Sequence, residues 1–244
     1  WINQQEFKEL LEKLKTPPII KVYEQSELYD KKWIDLIFNI DEILKTLKEN
    51  EKIVKLSEYF EPSFGNLKYL VLATQGTIRG VRNIGGEEFF YLSEDDLKNY
   101  KIPKDYTYPL LLSSDYLEFF SFNKDDWERI RREGKECYIF LAHKPLNQLP
   151  EQVKRYIRLG ETEVRLKRKR KGESEPRPVC ESEASKARAK YRDYFYGWYD
   201  LGGVLEAPIY VTYGAQYWIR FNLAKFNVAL DHRILSLLPK TDFA

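Results

Sequence analysis

The sequence of 244 residues is poor in the residues that build disulfide or metal frameworks. Its two cysteines, Cys137 and Cys180, are too few for a disulfide framework, which fits a reducing cytoplasm. Its two histidines, His143 and His232, argue against a histidine-rich metal site. Methionine is absent and Trp1 stands first, so we interpret the chain as a fragment or as one whose start was removed.

Long apolar segments and common catalytic motifs are also missing. No apolar run approaches the ~18 residues of a membrane span, and no charged leader with an apolar core opens the chain. We therefore expect a cytoplasmic protein without membrane contact. The sequence has no Gly-x-x-x-x-Gly-Lys phosphate loop, no Gly-x-Gly-x-x-Gly dinucleotide loop and no Gly-x-Ser-x-Gly elbow. We assign no catalytic residue and no metal site to this chain.

The sequence does contain enough apolar and aromatic residues for a sizeable core. Apolar residues make up 43% and aromatic residues 15%, which argues against wholesale disorder. The 40 basic and 38 acidic residues nearly cancel. The net charge of +2 therefore says little about a partner, and only the local distribution of charge is informative.

Short β-like runs alternate with short helical patterns and predict an α+β fold with a mixed or antiparallel sheet. Residues 1–52 show helical spacing of apolar residues, and we expect them to form a helical connector ahead of a domain over 53–244. Within that domain, runs of β-forming residues predict strands at 68–74, 87–92, 137–142, 208–213, 216–221, 226–230 and 234–238. Gly214-Ala215 suits a two-residue hairpin turn.

Four helices are predicted in this domain, three of them with residues that mark where they begin or end. Ser93 with Asp96 resembles a capping box for a helix at 94–100. The other predicted helices are 124–133 (capped by Asn123 and closed by Gly134), 150–159 (begun by Pro150 and stopped by Gly160) and 184–199.

A basic segment interrupts this pattern. Six positive charges occupy seven positions, 165–171. The following helix continues the excess, so residues 165–192 hold eleven Lys or Arg. Such a local excess is typical of a polyanion-binding surface. The candidate DNA contacts here are Arg165, Lys167, Arg168, Lys169, Arg170, Lys171, Arg188, Lys190 and Arg192. The alternative interpretation is a solvated charge run on a mobile loop.

Two further groups of residues suit base recognition. Arg79, Arg82 and Asn83 lie in a glycine-rich stretch, and Arg can read guanine while Asn can read adenine through paired hydrogen bonds. Glycines there would let the backbone approach a ligand closely. The terminal hairpin carries the second of these two groups, although the core is the better interpretation for its aromatic residues. That group is Gln216, Trp218 and Arg220.

Taken in order, several segments resemble the target recognition domain of Taq-type adenine-specific DNA methyltransferases from restriction–modification systems. The resemblance covers roughly residues 53–240. The segments that carry it are Lys55-Leu56-Ser57-Glu58-Tyr59-Phe60, Gly76 to Gly86 with Phe89-Phe90-Tyr91-Leu92, Tyr108-Pro109-Leu110-Leu111 to Tyr116-Leu117, Tyr191 through Trp198-Tyr199-Asp200-Leu201, Ala207-Pro208-Ile209-Tyr210-Val211, and Arg220-Phe221 to Leu237-Leu238-Pro239-Lys240. The glycine turn departs from the family pattern, because it reads Thr77-Ile78-Arg79-Gly80 where the family has a threonine-glycine pair followed by asparagine.

The resemblance implies the recognition half of a two-part enzyme. The family's catalytic domain carries an Asn-Pro-Pro-Tyr motif and a glycine-bearing loop for S-adenosylmethionine, and this sequence has neither. The implied partners are double-stranded DNA and a catalytic methyltransferase domain in the same polypeptide. The implied cofactor, S-adenosylmethionine, belongs to the parent enzyme, with none bound by this chain. Two alternatives stay open: a single recognition half of a specificity subunit, and a free-standing nucleic-acid-binding protein.

Overall fold

The computed structural model describes residues 55–118, 120–167, 176–213 and 219–240. This part of the chain contains seven α-helices and nine strands. The helices are α1 (Leu56–Tyr59), α2 (Lys68–Thr74), α3 (Glu87–Phe90), α4 (Glu94–Tyr100), α5 (Lys124–Arg132), α6 (Glu151–Thr162) and α7 (Glu183–Lys190). The strands are β1 (Phe60–Phe64), β2 (Tyr91–Leu92), β3 (Thr107–Leu111), β4 (Ser121–Phe122), β5 (Tyr138–Phe140), β6 (Ile209–Thr212), β7 (Phe221–Ala224), β8 (Ala229–Leu230) and β9 (Ile234–Pro239).

The strands form two mixed sheets, which confirms the α+β class. One sheet has the order β1-β9-β6-β7-β4, and the other has the order β2-β5-β3-β8. In each sheet the last pair, β7 with β4 and β3 with β8, is parallel, and the other pairs are antiparallel. The buried Asn66 side chain bonds to the backbone of Leu205, Val228 and Leu230. One side chain thereby joins β8 to a loop that lies far away in sequence.

The predicted caps at two helices are confirmed. Ser93 and Asp96 form both hydrogen bonds of a capping box at the start of α4. The Asn123 side chain accepts from two backbone N–H groups at the start of α5, and Gly134 follows that helix with a φ of +68°. These features depend on residues within one helical turn, so the local sequence is enough to specify them.

Three predicted elements differ from the structure. The run 68–74 is the helix α2, and only the last two residues of 87–92 form a strand. Periodicity cannot separate a short buried helix from a buried strand, because both read as a continuous apolar run. The helix predicted at 184–199 ends at Lys190, and the chain continues in turns.

Gly160 does not stop its helix. It lies inside α6, where a Cβ atom would come within 2.4 Å of the Trp198 ring and 2.9 Å of the Phe89 ring. Phe89 also stacks on Tyr156 of the same helix, with 4.6 Å between the ring centroids. Gly160 is therefore a packing position for the aromatic core, which outweighs its low helix propensity.

The terminal hairpin has a different register from the predicted one. A two-residue turn at 214–215 would pair Val211 with Trp218, but Val211 lies opposite Phe221 on β7. Strand β8 lies within the predicted run 226–230, and β9 contains the predicted run 234–238 and extends one residue further, to Pro239. The connector predicted at 1–52 lies outside the described residues and stays a prediction.

Candidate nucleic-acid interface

The glycine-rich segment packs against the start of α7. A Cβ atom on Gly86, whose φ is +96°, would lie 2.1 Å from Val179 Cγ1. A Cβ atom on Gly85, whose φ is +58°, would lie 2.6 Å from the Ser182 hydroxyl. We expected the glycines here to let a ligand approach the backbone. At these two positions that expectation is wrong, because side chains of the protein itself occupy the space beside the backbone.

Arg79, Arg82 and Asn83 are exposed on the outer side of this segment. The backbone N–H of Arg79 donates to the Tyr191 hydroxyl at 2.9 Å. The Arg82 guanidinium lies over the Phe64 ring, 5.6 Å from its centroid. Contacts with Tyr191 and Phe64 thus hold two of these positions, while all three residues stay exposed.

Arg188 is removed from the proposed DNA contacts, because it is fully buried. Its guanidinium donates to the carbonyl oxygens of Trp198 and Ile84, both at 2.7 Å, and to the Ser185 hydroxyl at 3.1 Å. Burial lowers the pKa of Arg188 to about 10, although nearby Tyr69 and Asp200 oppose that shift. Arg188 thus ties the glycine-rich segment to α7 and to the turn that follows it.

The remaining cations of this region lie at the surface. Lys190 ends α7, and Arg192 follows it with its guanidinium donating to the Tyr196 carbonyl oxygen at 2.8 Å. Arg165 and Lys167 are also exposed. The four other predicted contacts of the basic segment lie outside the described residues: Arg168, Lys169, Arg170 and Lys171.

The two ends of the basic segment are held together beside α7. The Leu166 N–H donates to the Arg177 carbonyl oxygen at 2.9 Å, and the Val179 N–H donates to the Val164 carbonyl oxygen at 3.1 Å. Val179 also contacts the glycine-rich segment, as described above. The basic segment and the glycine-rich segment therefore meet at the start of α7.

A cleft of about 490 Å³ opens where these segments meet. Asn83 and Lys167 line it together, although 84 positions separate them in the sequence. Arg233 and His232 line it as well. The carboxylates of Glu87 and Glu88 face the same space, so the lining contains charges of both signs.

Asp231 organises one wall of the cleft. It is fully buried and accepts hydrogen bonds from the Tyr91 hydroxyl at 2.5 Å, from His232 Nδ1 at 3.1 Å and from Arg233 Nε at 2.5 Å. Burial acts to raise the pKa of this carboxyl, but the hydrogen bonds outweigh burial, and the pKa lies well below its usual range. The network therefore fixes the directions of His232 and Arg233.

The same network contains three potential metal ligands. Glu87, Asp231 and His232 bring their ligand atoms within 4.8 Å of one another in the described part of the chain. The Arg233 guanidinium bonds directly to Asp231 and comes within 4.0 Å of the Glu87 carboxylate. A cation of the protein thus already neutralises these carboxylates, so we interpret the cluster as a hydrogen-bond network.

The Asp231→Asn variant is expected to lose about 2–3 kcal/mol of unfolding free energy at neutral pH, less than the 3–5 kcal/mol of a fully buried pair because Arg233 is partly exposed. A carboxyl whose folded pKa is depressed stabilises the fold above its unfolded pKa of about 3.9, and this contribution is lost as the pH falls further. Denaturant titrations over a pH series should show the difference from the native chain shrinking in acid. Asp95→Asn, at an exposed carboxylate, is the matched control.

The terminal group of predicted contacts is only partly described. Arg220 is exposed, and its guanidinium donates to the Leu117 carbonyl oxygen at 3.0 Å. Gln216 and Trp218 lie outside the described residues. Arg220 does not line the cleft, so its role as a DNA contact stays a prediction.

Sequence reasoning missed Asp231, His232 and Arg233. The triplet was a detectable signal, because three consecutive ionisable residues separate two short apolar runs, 226–230 and 234–238. No sequence pattern predicts that His232 and Arg233 line one cleft with Asn83 and Lys167, because long-range packing alone brings these residues together.

Part of this chain is similar to a known family of methyltransferase domains. Residues 77–171 match the family model of the C-terminal domain of the type II methyltransferase M.Eco57I. The match begins in the glycine-rich segment and ends in the basic segment. It therefore includes residues from both parts of the candidate interface.

A curated relative gives the same indication. The chain is 24% identical over 152 residues to the type II methyltransferase M.AccI of Acinetobacter calcoaceticus. The aligned part is 62% of this chain but only 24% of the relative's length. The two similarities support the interpretation of this chain as part of the C-terminal domain of a restriction–modification methyltransferase. The assignment to the Taq type stays a prediction.

No solved structure matches this chain. The described helices include none with the length and apolar character needed to cross a lipid bilayer.

Proposed function

We propose that this chain is the DNA target recognition domain of an S-adenosylmethionine-dependent adenine-N6 DNA methyltransferase. The observation that carries the proposal is the meeting of three cationic groups from distant parts of the sequence. Residues 79–83, 165–167 and 190–192 all adjoin α7 or its ends. Such a concentration of exposed Lys and Arg is the electrostatic footprint of a nucleic acid.

The proposal divides the work between two kinds of contact. Lys and Arg that neutralise phosphates fix the register of the protein on the duplex and carry no sequence information. Arg79, Arg82 and Asn83 have the side-chain types that read purine edges in the major groove. We assign base reading to these three residues and phosphate contact to Arg165, Lys167, Lys190 and Arg192.

The rest of the polypeptide would perform the methyl transfer. Adenine methylation requires the target base to leave the helical stack, and the recognition domain would hold the duplex during that step. The sequence lacks the cofactor loop and the Asn-Pro-Pro-Tyr motif of the catalytic domain. The similarity to type II methyltransferases favours this assignment over a specificity subunit or a free-standing binding protein.

Selection from a random duplex library tests the proposal directly. The chain is immobilised, bound duplexes are recovered over several rounds, and sequencing gives the enriched motif. A specific recognition domain should enrich one motif. If the recovered pool stays random at every salt concentration, the proposed function is wrong.

Alanine substitution of Arg79, Arg82 and Asn83 should then relax the enriched motif. Each lost base contact is expected to cost about 1–3 kcal/mol of discrimination at its own position, because paired hydrogen bonds to a base edge are lost. Competition binding with single-position variants of the motif measures this loss. A uniform loss of affinity for all sequences would instead place these residues on phosphates. Thr77→Ala, at an exposed position of the same segment, is the control.

A further inference from the structure

Both histidines of the chain are held by buried aspartates. The sequence contains two histidines, and each places Nδ1 within hydrogen-bond distance of an aspartate carboxylate that is fully buried. His232 belongs to the cleft described above. His143 lies just after β5, in a part of the surface to which no function has been assigned.

Asp200 holds His143 firmly. The His143 Nδ1 lies 2.8 Å from one carboxylate oxygen of Asp200 and 3.0 Å from the other. Backbone N–H groups of Tyr196 and Gly202 donate to the same carboxylate, both at 2.8 Å. Because an ionised carboxylate can only accept, His143 Nδ1 carries a hydrogen and donates it to Asp200, which leaves Nε2 as the nitrogen available to other partners.

The His143 side chain faces solvent beside other exposed groups. It is 43% exposed, and its ring lies 5.1 Å from the exposed Tyr196 ring. Arg192 bonds to the carbonyl oxygen of that same Tyr196. Lys144 is exposed next to His143, and the Tyr199 hydroxyl donates to its carbonyl oxygen at 2.9 Å. The Lys144 ammonium lies over the Tyr106 ring, 5.9 Å from its centroid. Two exposed cations, Arg192 and Lys144, thus belong to the same part of the surface as an imidazole that gains a positive charge on protonation.

The two histidines differ in what neutralises their aspartates. At Asp231 the Arg233 guanidinium bonds directly to the carboxylate. At Asp200 the hydrogen bonds within the described part of the chain come from two backbone N–H groups and from His143. Arg188 interacts with Asp200 electrostatically, but its guanidinium donates to other groups. His143 is therefore the side chain that bonds directly to Asp200.

We propose that His143 is a further phosphate contact of this domain, which binds a DNA backbone oxygen through Nε2–H together with Arg192 and Lys144. The inference rests on the proposed function. Protonation turns Nε2 from an acceptor, which repels a phosphate oxygen, into a cationic donor, which forms a charge-assisted hydrogen bond. The contact strip then continues from Arg79 through Tyr191 and Arg192 to His143.

The charged groups of the residues around His143 are the carboxylate of Asp200 and the cations Arg192, Lys144 and Arg188. A bound phosphate would offset the positive charge of a protonated ring. DNA affinity should therefore rise as the pH falls through the histidine range, and His143 should carry that rise.

Binding of a short duplex between about pH 8 and about pH 5.5 tests the proposal with His143→Asn. An asparagine amide lies where Nδ1 lies and keeps the bond to Asp200, but it has no nitrogen at the outer position. The native chain should gain roughly tenfold in affinity at the lower pH, the size of one charge-assisted hydrogen bond, and the variant should lose that gain. Asn147→Ala, at an exposed and uncharged position four residues further along the chain, is the control and should keep it. Thermal unfolding of each variant confirms that the fold is intact.

A variant that keeps the native pH dependence would overturn the role of His143 and leave the proposed DNA function standing. A second measurement does not depend on substitution, since the nitrogen NMR shift of His143 Nε2 can be followed in the native chain. Addition of the duplex should shift it, and inorganic phosphate should shift it only at much higher concentration. Saturation by inorganic phosphate ahead of the duplex would make a free anion the ligand and overturn the DNA contact. If no duplex binds at any pH the proposed function fails, and an unmoved Nε2 signal in phosphate would then reject the anion site too.

Discussion

Arg188→Ala is expected to lower the free energy of unfolding by about 3–5 kcal/mol, the largest effect of any single substitution proposed for this protein. The substitution leaves the buried carbonyl oxygen of Ile84 and the part-buried carbonyl oxygen of Trp198 without their donor. It also empties the space between the rings of Tyr69 and Phe90, which lie 4.9 Å and 5.1 Å from the guanidinium carbon. Unsatisfied carbonyls and a cavity each destabilise the folded state.

Urea titration followed by circular dichroism measures this loss. Arg188→Lys should recover less than half of it, because a single ammonium group cannot reach three acceptors that the planar guanidinium bonds together. Lys186→Ala, at an exposed position of the same helix, is the control and should change stability by less than about 0.5 kcal/mol. Equal effects of Arg188→Ala and Lys186→Ala would show that Arg188 does not tie these segments together.

The second large effect concerns DNA affinity. Replacing Arg165, Lys167, Lys190 and Arg192 together with alanine should weaken duplex binding to a similar extent for all sequences. Each phosphate contact contributes about 0.9 to the slope of log affinity against log salt, so four lost contacts should reduce that slope by about 3.6. Fluorescence anisotropy with a labelled duplex over a salt series gives the slope.

A second quadruple variant separates local contact from net charge. Lys98, Lys104, Lys124 and Lys135 are equally exposed cations on other elements, and none of them lines the cleft. Their replacement removes the same charge and should change the slope much less. If both variants reduce the slope equally, affinity follows net charge, and the surface around α7 is not the contact site. Circular dichroism of both variants checks that the fold is retained.

The sequence predicted best where neighbouring residues decide the structure. The caps Ser93 and Asn123 lie within one turn of the N–H groups that they bond, so their effect does not depend on the rest of the chain. The same reasoning located the core of β5 and the strands β8 and β9, which are apolar runs bounded by polar residues. It failed for α2, because four of its seven residues are buried and none is exposed, which removes the contrast between helix and strand.

The candidate site was predictable by residue type more than by arrangement. Exposed Arg79, Arg82 and Asn83 and the cations of 165–192 were identified from composition and resemblance. Arg188 belongs to the same basic pattern, yet it lies in the core. A charge pattern read along α7 cannot show which member turns inward, since the acceptors at Ile84 and Trp198 come from elsewhere in the chain.

The sequence alone determined the α+β class, the capped helices and the presence of a local cationic surface, because each of these depends on composition or on residues close together in the chain. Only the tertiary structure decided that Asn83, Lys167 and Arg233 share a cleft and that Asp200 holds His143. These groups are separated by tens of positions, and the sheets and the buried hydrogen bonds that bring them together form only when the whole domain packs.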